Sequence, residues 1–416
     1  MPLMSIYHVL RGHQTLSVFM PSGGRRPIRS APSPFPEPGD VPVILLLRRE
    51  ETVLRYCVIG AGHGGLAMAG HLGVMGFPVS LWARNPQTLE PIEAVGGVFL
   101  EGEVEGFGPV QVAYSLEAAL EGADAVLVVL PASAHREIAM RCAPYLRDGQ
   151  RILLLPGRTA GAIEFRHSLR EAGCTADVIV GEAQTFLYAS RKTGPFQARI
   201  HGIKRQVPAA ALPASRTGEL LEAIKPAFPQ FMPARWVWKT SLDNVGAIFH
   251  PGVALLNAGR IESTGGAFRH YVDGITPSVA ALLEQLDRER VAVARALGVG
   301  ALTAREWLAE AYGVERPTLY EAIQATRAYA DVGAPAQLHH RYIWEDVPTG
   351  LVPIASLGAA CGVSTPVADA LIQIANGIFG VDFRAMGRTV ERLGMAGWGP
   401  ARITQYALEG DVVDVA

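Results

Sequence analysis

Two short segments in the second half of the chain concentrate polar side chains that could move a proton and bind an anion. Residues 244–259 contain His250, and residues 340–350 contain Arg341 and Asp346. An imidazole gains and loses a proton near neutral pH, so His250 could act as an acid and a base. Asp346 could orient its ring, and Arg341 could hold a carboxylate through two parallel hydrogen bonds. Such a set would suit a reductase that acts on an anionic substrate.

Each of these three side chains also has a purely structural interpretation. His250 could be a hydrogen-bonded histidine of the core, and Asp346 could be a turn residue before Pro348. Arg341 could be an ion-pair partner of Glu345, four residues later on the chain. Spacing alone does not choose between the catalytic and the structural interpretations.

A glycine-rich loop at residues 60–65 predicts a dinucleotide site. The apolar run Val53–Ile59 precedes the loop, and a helix rich in Ala, Leu, Met and Gly follows over residues 66–75. This is the strand, G-x-G-x-x-G and helix order in which glycines permit a tight turn and close approach of a pyrophosphate to the helix N-terminus. The residues expected to bind the cofactor here are Gly60, Gly62, Gly64 and Gly65. The alternative is a tight turn that binds nothing.

Three further residues are expected beside the cofactor. No Asp or Glu occurs over residues 66–89, where NAD-preferring proteins carry the acid that binds the ribose hydroxyl, and the strand Pro78–Trp82 leads to Arg84. An arginine suits a 2′-phosphate, so we expect NADP(H), with NAD(H) as the alternative if Arg84 only stacks on adenine or faces solvent. Pro131 follows a buried strand, and His63 either touches the cofactor or lies at the surface of the loop.

The order of elements predicts an α/β domain followed by a helical one. Apolar strand-like runs alternate with helices up to about residue 235, which is typical of a doubly wound parallel sheet of Rossmann type. We therefore expect a dinucleotide-binding domain over residues 53–235 and an all-helical domain over residues 236–416, with the active site between them. The helices predicted in the second half are 277–297, 304–311, 317–328, 366–379 and 383–393. Residues 1–52 contain eight prolines and are interpreted as a disordered extension. One hypothesis for its origin is upstream sequence that is translated because the start codon was placed too early.

Composition excludes several classes of function. The chain has 416 residues and a formal net charge of −2, which gives no reason to expect a nucleic acid or an anionic membrane as partner. Hydrophobic residues make up 49% of the chain and charged residues 18%, so a disordered protein is excluded. Its four cysteines are widely spaced, which argues against a zinc site and fits a reducing cytoplasm. The oligomeric state is left open, and a homodimer is one of the states allowed.

Several motifs taken together resemble a known family, the octopine/nopaline dehydrogenase group of opine dehydrogenases. The resemblance covers about residues 53–410, and the extension before residue 53 departs from it. Its motifs are the glycine loop, Leu130-Pro131-Ala132 with His135, Leu155-Pro156-Gly157, His250-Pro251-Gly252, Leu256–Glu262, Tyr271 with Gly274–Pro277, Asp287–Arg290 and Glu345–Pro353.

The resemblance implies a reaction and a set of site residues. Family members condense an α-keto acid, often pyruvate, with the amino group of an amino acid and reduce the imine with NAD(P)H. It implies that His250 is the catalytic acid–base residue, paired with Asp346, and that Arg341 contacts substrate carboxylates. More loosely, it implies that Glu182, Thr185 and Asn257 contact the substrates.

Two other functions share much of this sequence pattern. One is a reductase of a keto acid such as ketopantoate, or of a sugar phosphate, with the same two-domain plan. Such enzymes usually use a lysine, and the predicted helical domain over residues 236–416 has only Lys239. The other is a non-catalytic NAD(P)H sensor, against which the retained His250, Arg341 and Asp346 argue.

Overall fold

The first half of the described chain alternates strands with helices around one large sheet. The computed structural model describes residues 53–410, so the predicted extension over residues 1–52 lies outside the described residues. The strands are β1 (Tyr56–Ile59), β2 (Val79–Trp82), β3 (Gly97–Gly102), β4 (Gly106–Pro109), β5 (Gln111–Ala113), β6 (Ala125–Val128), β7 (Arg151–Leu154), β8 (Ile179–Ala183), β9 (Tyr188–Gly194), β10 (Gln197–Ile203), β11 (Val207–Leu212) and β12 (Phe231–Pro233).

The large sheet has the order β12-β11-β8-β7-β6-β1-β2-β5. All neighbouring pairs are parallel except β11 with β8, which are antiparallel. The chain builds outward from β1 in one direction and then from β6 in the other, so the strand order reverses between β1 and β6. A doubly wound sheet binds its ligand in the crevice at such a reversal, and the predicted fold class is confirmed.

A second sheet of four strands, β4-β3-β10-β9, was not predicted. Its strands carry glycines or alternate apolar with charged residues, because β9 and β10 each leave one face toward solvent. In β10, for example, Ala198 and Ile200 are buried while Arg199 and His201 are exposed. The apolar content of β9 and β10 is too low to predict strands from their own sequences, without knowing that β10 pairs with β3.

The second half of the chain is helical, as predicted. The helices of the described residues are α1 (His63–Val74), α2 (Glu90–Val95), α3 (Leu116–Leu120), α4 (His135–Cys142), α5 (Gly161–Glu171), α6 (Thr217–Ile224), α7 (Val237–Leu242), α8 (Gly246–Leu256), α9 (Ala258–Thr264), α10 (Pro277–Ala296), α11 (Ala304–Tyr312), α12 (Leu319–Ala325), α13 (Arg341–Trp344), α14 (Val352–Ala360), α15 (Pro366–Phe379), α16 (Phe383–Met386) and α17 (Pro400–Glu409). A single π-helical turn spans Val347–Leu351 between α13 and α14.

The predicted helix over residues 383–393 is wrong beyond Met386. At Gly387 the backbone becomes extended, and Arg388 then turns its guanidinium into the protein. That side chain is buried and pairs with Glu164 of α5 at 2.8 Å. Tertiary contacts of Arg388 therefore accompany the end of the helix and override the local preference for continuing it.

Hydrophobic cores lie on both faces of the large sheet. One core joins α1, α6 and the second sheet to one face of the large sheet. A second continues from the opposite face into the helical half, through Trp238 of α7, Val293 of α10 and Leu357 of α14. A third lies within the helical half and contains Phe249 of α8. Among residues 53–410, no helix is both long and apolar enough to span a membrane.

Candidate functional site

The glycine loop after β1 has the backbone geometry that a dinucleotide site requires. Gly60 has a φ of +119°, which residues with a side chain rarely adopt. A Cβ on Gly65 would lie 1.8 Å from the carbonyl oxygen of Gly60, so only glycine lets α1 begin this close to the strand. At Gly62, by contrast, a Cβ would meet no protein atom within 4 Å. The first turn of α1 therefore opens onto free space, and its N–H groups can face an anion.

A cavity of about 500 Å³ lies beside this loop and follows the ends of β1, β2 and β6. Its lining contains Gly62, Trp82, Arg84, Pro131, Glu137 and Arg141. The Arg84 guanidinium is largely exposed and lies 3.7 Å from the Glu137 carboxylate. Arg141 lies over the Trp82 ring, 5.0 Å from its centroid, and pairs with the other oxygen of Glu137. The structure thus brings the predicted Gly62, Arg84 and Pro131 together in one pocket.

His63 and Gly64 hold the loop against neighbouring elements. The His63 Nδ1 accepts a hydrogen bond from the backbone N–H of Lys192 on β9, at 2.9 Å. This bond leaves the ring proton on Nε2 in the neutral form. A Cβ on Gly64 would lie 2.6 Å from the Phe186 ring, so this glycine is needed for packing. The second sheet, through β9, therefore supports the loop that the sequence predicts as the cofactor site.

A smaller cavity, of about 230 Å³, lies where the loops after β7 and β8 meet α8 and α13. The side chains that line it include three of the residues predicted to bind or convert substrate, His250, Arg341 and Thr185. The rest of its lining is Pro156, Arg158, Gln184, Phe186, Asp243, Asn244, Val245, Gly246, Phe249, Tyr271, Trp307 and Tyr329. Charged groups therefore share this small space with aromatic walls.

His250 and Asp346 form a hydrogen-bonded pair at this cavity. The Nδ1–H of His250, in the middle of α8, donates to Oδ2 of Asp346 at 2.8 Å. The imidazole is stacked on the Tyr342 ring, with centroids 4.4 Å apart, and 18% of the side chain is exposed. Asp346 is fully buried just before the π-helical turn. The pair fixes the ring orientation and leaves Nε2 without a hydrogen bond among the described residues, available for proton exchange.

Arg158 also contacts Asp346, and sequence reasoning missed it. Its Nη1 lies 3.4 Å from Oδ1 of Asp346, and its Nε lies 3.4 Å from Oε1 of Glu345. Burial acts to raise the pKa of Asp346, but the charges of Arg158 and His250 hold it below its ordinary value. The signal was present: Arg158 follows the Pro-Gly turn at the carboxyl end of a parallel strand, where ligands bind in such sheets.

Arg341 forms the ion pair of the structural interpretation and also lines the cavity. Its Nη2 pairs with Oε2 of Glu345 at 2.8 Å, which is the structural alternative. It also lines the cavity, and 56% of its side chain is exposed. Glu345 is buried and accepts a further hydrogen bond from the backbone N–H of Ala132 at 3.2 Å. Glu345 thereby ties the loop after β6 to the segment that carries Arg341 and Asp346.

The geometry does not place Glu182 in the cavity, which corrects the expected substrate contact. Glu182 is fully buried at the end of β8, and burial raises the pKa of its carboxyl. Oε1 accepts hydrogen bonds from the hydroxyls of Thr240 and Ser241, and Oε2 accepts one from the N–H of Ala162. Ser241 in turn accepts the N–H of Ala160. Glu182 therefore anchors the chain after β7 rather than facing a ligand.

Asn257 is likewise outside the cavity lining, whereas Thr185 is part of it. The Asn257 amide donates to the carbonyl oxygens of Val253 and Gly274 at 2.9 and 3.0 Å, so it closes the end of α8. Thr185 accepts a hydrogen bond at Oγ1 from Nζ of Lys204, at 2.6 Å. The expected substrate contact of Asn257 is therefore not supported by this geometry.

The position of Lys239 bears on the lysine-dependent reductases, and the arrangement of His, Cys, Asp and Glu side chains bears on a metal site. Lys239 pairs with Asp243 at 2.6 Å and donates to the carbonyl of Gly300, and it does not line the cavity. Within residues 53–410, no group of three or more His, Cys, Asp or Glu side chains is arranged to hold a metal ion.

The doubly wound sheet carries a dinucleotide loop, and a second cavity holds a histidine–carboxylate pair. Together they define the class of the protein as a nicotinamide-dependent dehydrogenase whose second half is helical. Comparisons with known proteins narrow this class. Residues 233–379 match the alpha-helical domain of NAD/NADP octopine/nopaline dehydrogenase, and residues 55–157 match the N-terminus of NAD-dependent glycerol-3-phosphate dehydrogenase.

Relatives and solved structures cover nearly the whole described chain. An opine dehydrogenase of Arthrobacter sp. (strain 1C) is 41% identical over 344 residues, which is 82% of this chain and 95% of the relative. A vitopine synthase of Allorhizobium ampelinum is 25% identical, over 86% of this chain and 99% of its own length. A structure of octopine dehydrogenase in complex with NADH and agmatine aligns with a TM-score of 0.71 at 22% identity, over 86% of this chain and 99% of that one.

The chain belongs to the opine dehydrogenase family, the octopine/nopaline dehydrogenases, as its motifs predict. It is an NAD(P)-dependent oxidoreductase that acts on a C–N bond: it joins an α-keto acid to the amino group of an amino acid by reducing the imine between them.

Proposed function

We propose that His250, Asp346 and Arg341 carry this reductive condensation in the small cavity, and that the glycine loop and Arg84 bind NADP(H). The observation that carries the proposal is the 2.8 Å His250–Asp346 pair in a cavity that also holds arginine side chains. An imine accepts hydride well only when its nitrogen is protonated, and the product keeps a carboxylate from each substrate. A proton donor and cations in the same small space meet both requirements.

The first task of the protein is to place the two substrates and keep water away from the imine. Condensation of the keto carbon with the amine releases one water molecule, and excess water would reverse it. Phe249, Tyr271 and Tyr329 form an aromatic wall of the cavity, with Tyr271 and Tyr329 stacked 4.1 Å apart. Such a wall displaces water and strengthens the electrostatic contacts inside.

His250 then holds the proton that the reaction needs. Its Nε2 can keep the imine nitrogen protonated while the Nδ1–H stays bonded to Asp346. The buried Asp346, kept anionic beside Arg158, holds the His250 ring in place through the Nδ1–H hydrogen bond. The nicotinamide cofactor, when bound, supplies the hydride that reduces the imine carbon.

The residues of the loop fit a dinucleotide. Gly62 faces open space, α1 begins at His63 without a side-chain cap, and the first turn of α1 contains no acidic residue. Backbone N–H groups are therefore directed at the place where a pyrophosphate would lie. We favour NADP(H), because Arg84 and Arg141 both lie in the pocket at the end of β2, and NAD(H) is the alternative because Glu137 pairs with both arginines.

The substrates in this proposal are a small α-keto acid and an amino acid, with no nucleic acid or membrane partner. Arg341 contacts a carboxylate at the mouth of the cavity, and Thr185 lies beside the amino substrate. A cytoplasmic location is part of the proposal and rests on the free thiols of Cys57, Cys142, Cys174 and Cys361.

Isotope transfer tests the proposed reaction. The enzyme is incubated with pyruvate, a heavy-nitrogen-labelled amino acid, and NADPH or NADH carrying deuterium at the hydride position. We expect one product whose mass contains both the heavy nitrogen and one deuterium on the carbon derived from the keto acid. Deuterium in lactate, with the labelled amino acid unchanged, would contradict the proposal.

A further inference from the structure

Two arginines meet at the loop after β7, and they are bonded very differently. Arg388 is fully buried, and all of its hydrogen bonds are short, between 2.7 and 3.1 Å. Arg158 makes only contacts of 3.4 Å, to Asn244, Glu345 and Asp346. Its Nη2 has no hydrogen-bond partner among the described residues. The guanidinium N–H groups of Arg388 are therefore hydrogen-bonded within the protein, whereas Arg158 has N–H donors at the cavity that could bind a ligand.

The backbone presents Arg158 to the cavity in a conformation that side chains seldom adopt. Its φ is +59°, in the left-handed region, which is strained for a residue other than glycine. Arg388 binds the carbonyl oxygens of Gly157 and Thr159, the two residues that flank Arg158. The N–H of Thr159 also donates to the carbonyl of Thr349 at 3.2 Å. The surroundings thus fix the strained loop, as is common where a side chain serves a ligand.

We propose that Arg158 binds the carboxylate of the α-keto acid and so selects keto acids over neutral ketones. This inference rests on the proposed function. A carboxylate has the planar, two-oxygen shape that a guanidinium binds through parallel hydrogen bonds, and Arg158 has both the free donors and the charge for it. Only 10% of its side chain is exposed, so the contact would be shielded from bulk water.

The position of Arg158 favours the keto acid over the amino acid. Arg158 extends from the carboxyl end of the sheet, the side on which a doubly wound fold holds its cofactor. The keto-acid carboxylate is attached directly to the carbon that receives hydride, so it must lie close to that side and to His250. Arg341, from the helical half, is 56% exposed and stands at the mouth, where the amino acid needs room for a variable side chain.

The test compares a keto acid with its neutral analogue. Steady-state kcat/KM is measured for pyruvate and for pyruvamide, each with the same amino acid, in the wild type, Arg158→Gln and Arg341→Gln. We expect the wild type to prefer pyruvate by about 10²-fold or more, because a buried charge pair is lost with the amide. Arg158→Gln should abolish that preference, while Arg341→Gln should keep it. A purely structural role would lower both rates together and leave the preference unchanged.

A binding readout separates this inference from the proposed function. The quench of bound NADPH fluorescence by pyruvate and by pyruvamide reports affinity without turnover, and the neutral variant Arg158→Met serves if the glutamine variant does not fold. An unchanged pyruvate preference in Arg158→Gln, or in Arg158→Met, overturns the role of Arg158. If Arg158→Gln instead loses the preference for the amino acid over its amide, Arg158 binds the other carboxylate, and this result also overturns the proposed role.

Failure of the proposed function gives a different result, which is NAD(P)H oxidation by the wild type with pyruvate alone. Arg216→Gln, which breaks an ion pair with Asp177 outside the cavity, is the matched control.

Discussion

The cofactor loop and the substrate cavity are built to bind anions in different ways. The loop offers backbone N–H groups at the start of α1 and depends on the absence of side chains, as at Gly62 and Gly65. The cavity offers charged side chains, of which Arg158 and Arg341 are balanced by the buried Glu345 and Asp346. A site made of backbone N–H groups should lose its affinity for an anion when side-chain atoms are added, whereas a site made of charged side chains should lose it when a charge is removed. Substitutions in the two regions should therefore have separable effects.

The largest effect is expected at His250. His250→Ala removes the proton donor and should lower kcat by about 10²–10⁴-fold, while the dissociation constant for NADPH stays unchanged. Stopped-flow turnover and fluorescence titration measure the two quantities on the same sample. Turnover near that of the wild type would remove His250 from the mechanism.

Gly62→Ala tests the backbone site in the opposite direction. No protein atom lies within 4 Å of the added Cβ, so the melting temperature should not change. The methyl group would occupy the space expected for the pyrophosphate, and we expect the dissociation constants of NADPH and NADH to rise by about 10–100-fold. Gly259→Ala, where a Cβ also meets open space, is the control. Equal cofactor affinity in both variants would place the dinucleotide elsewhere.

His270, which packs against Tyr342 as His250 does, tests whether the protein interior beside the site tolerates added charge. Burial lowers the pKa of His270 to about 3, from an ordinary value of 6.5, and the nearby His250 acts in the same direction. The folded state therefore binds this proton more weakly than the unfolded state. The stability it contributes is complete above pH 6.5 and is lost as pH falls toward 3. Between pH 7.5 and pH 5, the wild type should lose about 2 kcal/mol more unfolding free energy than His270→Phe. The unfolding free energies are measured by urea titration at each pH. The same pH dependence in the wild type and in His270→Phe would show that folding does not lower the pKa of His270.

The smallest effect is expected at Arg84, at the edge of the cofactor pocket. The side chain is 75% exposed, so its contact with a phosphate would be partly screened. Arg84→Ser should lower the ratio of kcat/KM for NADPH over NADH by about 10-fold. The ratio is measured with both cofactors at one ionic strength. An unchanged ratio would show that Arg84 does not bind the 2′-phosphate and would leave it as a surface residue.

The cofactor region could be predicted from the sequence because its determinants are contiguous. One strand, a three-residue loop and one helix lie within residues 56–74, and Gly60 and Gly65 have geometric reasons within that segment. The second sheet could not be predicted, because its strands are stabilised by pairing with distant strands rather than by their own apolar pattern. The domain boundary near residue 235 and a homodimer stay predictions.

The cavity was only partly predictable, because its members come from distant parts of the chain. His250 and Asp346 are 96 residues apart, and the family resemblance paired them where spacing could not. Glu182 was misassigned because its hydrogen-bond partners Thr240 and Ser241, about 60 residues away, decide that it is buried. Arg158 follows a Pro-Gly turn that could have pointed to it, but its contacts with Glu345 and Asp346, almost 190 residues later, cannot be seen in the sequence.

The requirement for two substrates tests the central claim most directly. Purified enzyme is mixed with NADPH or NADH and with pyruvate, with each of a panel of amino acids, or with both together, and oxidation is followed by absorbance. We predict rapid oxidation only when the keto acid and an amino acid are both present. Oxidation at the same rate with pyruvate alone would contradict the account and identify a hydroxy-acid dehydrogenase instead.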